Sequence, residues 1–198
     1  LSGVQLSSKV DLLYAMYEVY KEQTPREEIE SFHQFFGWGA TLLEEFNEID
    51  AQLVNATELF GFMTALSDIE KWGDPHKGDL SKRHYKIQER YSLYYKKLYN
   101  KLLQRGSGYS GLRLREAVQN LTFYTQQEQS KHFFVGFNAL TKAEETIIQE
   151  LLAEGKAEII WDLDQTFYQD AYHSAGHYIR TYQKDWKVLK KEADPEFT

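Results

Sequence analysis

The chain contains no cysteine among its 198 residues. Disulfides, thiolate metal sites and thiol catalysis are therefore excluded. No apolar run approaches the roughly 18 residues that a membrane-spanning helix needs. The chain does not open with basic residues followed by an apolar stretch, so the sequence predicts no signal peptide. These absences favour a soluble, cytoplasmic protein that has no membrane partner.

The motifs of self-sufficient catalytic sites are also missing. The chain has no GxxxxGK[ST] phosphate loop, and its nearest string, EGKAE, lacks the first glycine and the hydroxyl residue. It has no GxSxG serine elbow and no Asp…(Asp/Glu)-x-Lys nuclease core on a suitable pair of strands. Because the chain starts at Leu1 within an apolar pattern, we expect it to be a fragment of a longer protein.

The net charge of −7 conceals a basic segment in an otherwise acidic chain. Residues 81–105 carry eight basic side chains and one acidic side chain. A solvated cationic face over a tyrosine-lined core contact would explain this pattern. A surface that follows a DNA backbone would explain it too, with cations on phosphates and a tyrosine available for stacking. The candidate DNA-binding residues are Lys82, Arg83, Lys86, Arg90, Lys96, Lys97 and Lys101.

Helical periodicity dominates residues 1–126. Ser8 is a candidate N-cap of the first helix. The string TPRE predicts the start of the second helix, with Thr24 as the cap and Glu27 completing a capping box. Gly37 and Gly39 predict a weak point in that helix, for close packing or a kink. Further helices are expected near residues 57–71, 81–103 and 112–124.

The pattern changes in residues 127–198. HFFVGF (residues 132–137) and AEIIWD (residues 157–162) are typical of short buried strands. Between them lies a helix with Thr141 as its cap and Glu144 in the capping-box position. This order predicts a βαβ unit with parallel strands and a right-handed crossover, and a last helix is expected near residues 170–186. Parallel sheets are covered on both faces and have more than two strands. Further strands are therefore expected, either unrecognised or outside this sequence.

The stretch IIWDLDQTFYQD (residues 159–170) allows two interpretations. In a haloacid-dehalogenase-type phosphatase, Asp162 would be the nucleophile and Asp164 the general acid/base, with Mg²⁺ nearby. That fold needs several more βα units, but only 34 residues follow Asp164. The pair His173 and His177 has a spacing that can bind a metal, but two half-exposed histidines on an amphipathic helix are the favoured explanation.

The alternative is a resemblance to superfamily 1 (UvrD-like) helicases. WDLDQTFYQDAYHSAG is similar to their motif III, in which a glutamine senses the γ-phosphate and a following aromatic residue lies near the DNA strand. The resemblance implies nucleotide sensing by Gln165 with Asp162 and Asp164, and DNA contact by Tyr168. The preceding strand departs from the family, because Gly136 and Phe137 stand where the Mg²⁺-binding Asp and the catalytic Glu are expected.

FVGFNALTKAEETII resembles the version of this strand found in AddB-type helicase-exonuclease subunits, which are associated with PD-(D/E)XK nucleases. WGATLLEEFNEIDAQLVNATELF also resembles the all-helical insert of such proteins. The resemblance implies a mainly α fold with a small α/β part. Residues 1–126 would form a helical insert packed on a partial RecA-like βαβ unit, residues 127–198, with two short parallel strands.

The function implied is a share in DNA double-strand-break repair, through contacts with single-stranded DNA or duplex ends and possible pairing with a helicase-nuclease partner subunit. ATP and Mg²⁺ would act in the parent protein, and no cofactor is expected in this fragment, which should be inactive alone. A stand-alone helical interaction or scaffold domain is the alternative function. The phosphatase is a remote third alternative.

Overall fold

The computed structural model describes residues 1–73 and 90–189, and the side chains of these residues except for 67–73. Its regular elements, in chain order, are β1 (Gln5–Leu6), α1 (Lys9–Glu22), a 3₁₀ turn (Arg26–Glu28), α2 (Phe32–Ala51), α3 (Ala56–Gly73), α4 (Tyr91–Gln104), β2 (Ser107–Gly108), α5 (Ser110–Gln119), α6 (Leu121–Gln127), β3 (His132–Val135), α7 (Lys142–Ala153), β4 (Ala157–Ile160), α8 (Gln165–Gln169), a second 3₁₀ turn (Ser174–Gly176) and α9 (His177–Asp185). The predicted fold class, mainly α with a small α/β part, is confirmed. None of the helices in these residues is long and apolar enough to cross a membrane.

The chain forms two compact units, Ser2–Glu116 and Ala117 onward. The division between these units lies within α5, so α6 belongs to the second unit. There α6 packs on α7, and Lys156 donates hydrogen bonds to the carbonyl oxygens of Thr125 and Glu128, the latter at 2.9 Å. The helix expected over residues 112–124 is correspondingly interrupted at Asn120, between α5 and α6.

In the first unit, α1 packs against both α2 and α4. The core is unusually aromatic: Tyr20 contacts Phe35, Trp38 and Tyr94 with ring centroids 5.1–6.2 Å apart. Such pairs add about 0.5–1.5 kcal/mol each beyond the area that they bury. Tyr20 and Tyr94 are therefore core residues.

The predicted start of the second helix is wrong. Thr24 does not cap a helix; its hydroxyl is buried and shares a 3.1 Å hydrogen bond with that of Tyr94. The helix α2 begins at Phe32, where Ser31 and Gln34 form the capping box. It then continues as one helix through Gly37 and Gly39, and a Cβ on Gly39 would lie 2.4 Å from the ring of Phe35, so this glycine allows close packing.

A short parallel pair that the sequence did not predict joins the beginning of the chain to the end of α4. Gln5 of β1 pairs with Ser107 of β2, and Leu6 pairs with Gly108. Ser8 then caps α1 by accepting a hydrogen bond from the amide of Asp11, as predicted.

The second unit contains the predicted βαβ arrangement. β3 and β4 are parallel, with His132 opposite Ala157 and Val135 opposite Ile160. The capping box of α7, formed by Thr141 and Glu144, is confirmed.

In the described residues, only one face of this sheet is buried. One face carries Phe134 and Ile159, which pack against the cluster that includes Ile148 and Tyr182. The other face exposes Phe133, Val135 and Ile160 by 51–59%, and the described residues add no third strand to this sheet.

Candidate functional sites

The segment that follows β4 contains the three residues expected to sense nucleotide. Asp162 and Gln165 are exposed. Asp164 is the N-cap of α8 and accepts a 2.7 Å hydrogen bond from the amide of Thr166. Hydrogen bonds from Thr166 lower the pKa of Asp164 below its usual range. Asp164 therefore orients the short helix that begins with Gln165.

Tyr168, the expected DNA contact, is half-buried at the end of this segment. Its hydroxyl donates a hydrogen bond to the side chain of Gln183 on α9, so the phenol helps to hold the segment on that helix. The neighbouring Phe167 is more exposed and stacks on His173 with ring centroids 4.4 Å apart.

An arginine that the sequence analysis did not single out holds this segment in place. The guanidinium of Arg180 donates hydrogen bonds of 2.8–3.3 Å to four main-chain carbonyl oxygens. Their residues are Phe167, Tyr168, Ala171 and His173. Five N–H donors on one rigid plane make arginine suited to this task.

Gly176 makes room for the guanidinium. A Cβ at this position would lie 2.1 Å from Nη1 of Arg180 and 2.7 Å from the carbonyl oxygen of Phe167. The string HSAGHYIR (residues 173–180) contains the two histidines that were considered as metal ligands. It also contains the glycine and the arginine that shape the turn. Periodicity could not show this, because the arginine binds backbone carbonyls up to 13 residues earlier.

Replacing Arg180 by lysine should loosen residues 165–176. An ammonium group cannot bridge four carbonyls, so the free energy of local opening should fall by about 2 kcal/mol. Hydrogen exchange of the amides between Thr166 and Ala175 would measure this loss. Lys184→Gln, a change at an exposed position on the same helix, should leave exchange unchanged. Equal protection in both variants would contradict the assigned role.

The two histidines do not lie on one helix as expected. His173 precedes the second 3₁₀ turn, and its Nδ1 accepts a hydrogen bond of 3.2 Å from the amide of Ala175. His177 begins α9. The last helix starts there, later than predicted, because the preceding residues form the turn held by Arg180. In the described part of the chain no group of three or more His, Cys, Asp or Glu side chains could hold a metal ion.

The end of β3 carries no carboxylate. Gly136 donates its amide to the carbonyl oxygen of Ile160 at 3.2 Å and has a φ of +71°, a conformation that an aspartate would adopt only with strain. The N-terminus of α7, the usual phosphate site after such a strand, is occupied by its own capping box with Glu144. The residues of this loop therefore do not fit a Mg²⁺–nucleotide site.

The described part of the basic segment belongs to α4. Lys96 and Lys97 are exposed. Arg90 and Lys101 lie against acidic side chains, with ion pairs of 3.0 Å to Glu28 and Glu22 respectively. Lys82, Arg83 and Lys86 lie outside the described residues.

The sequence analysis also missed a buried polar cluster in the first unit. Asp50 is fully buried and accepts hydrogen bonds from the hydroxyls of Tyr95 and Tyr109, the latter at 2.6 Å. Arg115 donates from Nε to the same carboxylate at 2.7 Å, and from Nη2 to the carbonyl oxygens of Ile49 and Val54. Burial raises the pKa of Asp50, whereas these donors act in the opposite direction.

This cluster joins three helices, because Asp50 lies on α2, Tyr95 on α4 and Arg115 on α5. Each polar atom of the carboxylate is satisfied by protein donors, which is typical of a structural network. Since the carboxylate is enclosed, we assign the cluster to stability and not to catalysis.

Comparison with known protein families, with curated proteins and with solved structures finds no match to this chain.

Proposed function

We propose that this chain is a non-catalytic, DNA-contacting segment of an AddB-type helicase-exonuclease that acts in double-strand-break repair. The observation that carries the proposal is the parallel β3–α7–β4 unit, in which β4 is followed by a capped turn that begins with Gln165. In the motif III resemblance, the glutamine is expected at this position, shortly after the second strand of the unit.

The side chains at the end of β3 support the non-catalytic part of the proposal. Gly136 and Phe137 offer no carboxylate to Mg²⁺, and the carboxylate of Asp164 is engaged at the N-terminus of α8. ATP and Mg²⁺ would therefore be bound by other parts of the parent protein. We expect this chain by itself to neither hydrolyse ATP nor cut DNA.

The DNA contact would use the cationic side chains of α4 and of the residues before it. Lys96 and Lys97 are exposed on a helix that belongs to an otherwise acidic chain. A local patch of this kind attracts phosphates even where the net charge is negative.

Neutralising these lysines tests the proposal. Lys96→Gln combined with Lys97→Gln should weaken binding to a fluorescently labelled single-stranded DNA. The slope of log K against log salt should fall by about 0.7 for each lysine that neutralises a phosphate. A second variant would neutralise Lys82, Arg83 and Lys86, and fluorescence anisotropy over a salt series measures both.

Lys184→Gln combined with Lys187→Gln is the matched control, since it removes the same charge from two exposed positions of the second unit. It should leave the affinity within about twofold of the wild type, the range expected for a surface change away from the site. If the wild type binds no single-stranded DNA, or if the basic-segment variants bind as tightly as this control, the proposed DNA contact is wrong.

One observation favours the alternative, an interaction or scaffold domain: the apolar sheet face with Phe133, Val135 and Ile160. Exposed apolar patches commonly mark protein contacts. The sequence of the parent gene separates the two functions. A phosphate loop upstream and a nuclease motif downstream support the helicase-exonuclease, whereas an isolated short gene supports the scaffold.

A further inference from the structure

Four cations form a single row along α4 and its two cap residues. Arg90, Lys97, Lys101 and Arg105 are separated by seven, four and four residues. At about 3.6 residues per turn, this spacing places the four side chains within about 80° of one another around the helix axis, so they share one face of the helix. The last three recur about every 6 Å along the axis. That rise is of the same order as the distance between successive phosphates of one nucleic-acid strand.

An acidic row on α1 faces the C-terminal half of these cations. Lys101 forms ion pairs of 3.0 Å with both Glu18 and Glu22, and Arg105 pairs with Glu18 at 2.9 Å. The two glutamates are one helical turn apart, so they match the spacing of Lys101 and Arg105. Hydrogen bonding by Lys101 lowers the pKa of Glu18 below its usual range, which reflects how the ammonium group favours the ionised carboxylate.

The two rows border an open groove of about 540 Å³, which is lined by Glu18, Lys21, Glu22, Lys101 and Arg105. The carboxylates here are about half exposed, and so is Arg105. The side chain of Lys101 is less exposed, at 22%, but its carboxylate partners face solvent. Ion pairs at a protein surface contribute only about 0–1 kcal/mol each. A competing anion can therefore replace a glutamate without disturbing the core between the two helices.

Lys97 differs from its neighbours in the row. It is exposed, and it forms no ion pair with any residue in the described ranges. The row thus contains one cation, Lys97, that is open to a ligand. The next two cations, Lys101 and Arg105, are paired with carboxylates of the same chain.

We propose that the row Lys97–Lys101–Arg105 is a binding site for the phosphate backbone of single-stranded DNA, and that Glu18 and Glu22 compete with the DNA phosphates for it. The inference rests on the proposed function and extends it to Arg105 and to an acidic competitor. Binding exchanges these three weak ion pairs for contacts with phosphates, and the release of condensed counterions favours that exchange. The carboxylates restrict the site to ligands with closely spaced negative charges.

Removal of the competitor tests this inference. Glu18→Gln combined with Glu22→Gln should tighten the binding of labelled single-stranded DNA by about 3- to 10-fold, since each exposed pair is worth up to about 1 kcal/mol. The slope of log K against log salt should become steeper, by about 0.7 for each cation released to a phosphate. Arg105→Gln in the same background should remove part of this gain.

Glu44→Gln combined with Glu48→Gln is the matched control. It changes the net charge by the same amount at two exposed positions of α2. Electrostatic interactions are screened over about 10 Å at moderate salt. This control variant should therefore tighten DNA binding by less than about twofold. Thermal unfolding of all the variants verifies that they remain folded.

The outcomes separate the two proposals. If DNA binding depends on Lys96 and Lys97 but the variant lacking Glu18 and Glu22 behaves as the α2 control, the competitor role is wrong and the proposed function stands. If the variant with Glu18→Gln and Glu22→Gln loses thermal stability and gains no affinity for DNA, the ion pairs are only structural. That result also overturns the inference. If no variant binds single-stranded DNA, the proposed function fails as well.

Discussion

Replacing Asp50 by alanine is expected to lower the free energy of unfolding of the first unit by about 3–5 kcal/mol. The change leaves the mostly buried guanidinium of Arg115 without its counter-ion, and it leaves the hydroxyls of Tyr95 and Tyr109 without an acceptor. Removal of one partner from a buried charged network costs far more than the network contributes as a whole. Chemical denaturation followed by circular dichroism measures the loss.

Glu48→Ala is the control, because it removes an exposed carboxylate from the same helix. It should change the free energy of unfolding by less than about 0.5 kcal/mol. A double-mutant cycle with Arg115→Ala should be strongly non-additive, since either single change disrupts the same contact. A loss below about 1 kcal/mol for Asp50→Ala, or additive effects in the cycle, would show that the network does not hold the helices together.

Gly111→Ala should cost about 3 kcal/mol, although alanine is the better helix former. The amide of Gly111 donates to the side chain of Asn47 at 2.8 Å, where α5 meets α2. A Cβ there would lie 2.0 Å from the carbonyl oxygen of Asn47 and 3.0 Å from the amide nitrogen of Ala51. These atoms belong to the backbone of α2, so relief requires that one helix move. Thermal and chemical denaturation both measure the loss.

Gly37→Ala makes the same chemical change in a helix interior where nothing lies within 4 Å of the added Cβ. It should raise the free energy of unfolding by about 0.5–1 kcal/mol, because alanine loses less conformational entropy. Opposite signs for the two substitutions would establish the close approach of α5 to α2. Stabilisation by both would contradict it.

Caps formed within one turn were predictable where nothing distant competed with them. Ser8, and the pair Thr141 and Glu144, cap the expected helices because their partners lie three residues away. The TPRE string predicted the start of the second helix on the same grounds, but that prediction is wrong. Tyr17 and Tyr20 hydrogen-bond the backbone of Glu28 and Glu30, which holds this segment outside a helix.

The candidate DNA site shows the same contrast. The basic segment is evident in the sequence, and so are the candidate phosphate-binding residues. Charge alone does not reveal that Lys101 lies against Glu18 and Glu22, which are 83 and 79 residues earlier in the chain. Likewise, motif III residues were recognisable, whereas the role of Arg180 depends on where the turn before α9 places four carbonyl oxygens.

The sequence by itself determined the mainly helical class, the parallel βαβ unit and the absence of carboxylates at Gly136 and Phe137, because periodicity, local capping and residue identity are properties of short stretches. The tertiary structure decided which polar groups are satisfied and which are available. It buried Asp50 among its donors, paired Lys101 and Arg105 with α1, fixed the turn through Arg180 and left Lys97 exposed. Those outcomes depend on contacts between residues far apart in the chain, which hydrophobic pattern and charge count do not encode.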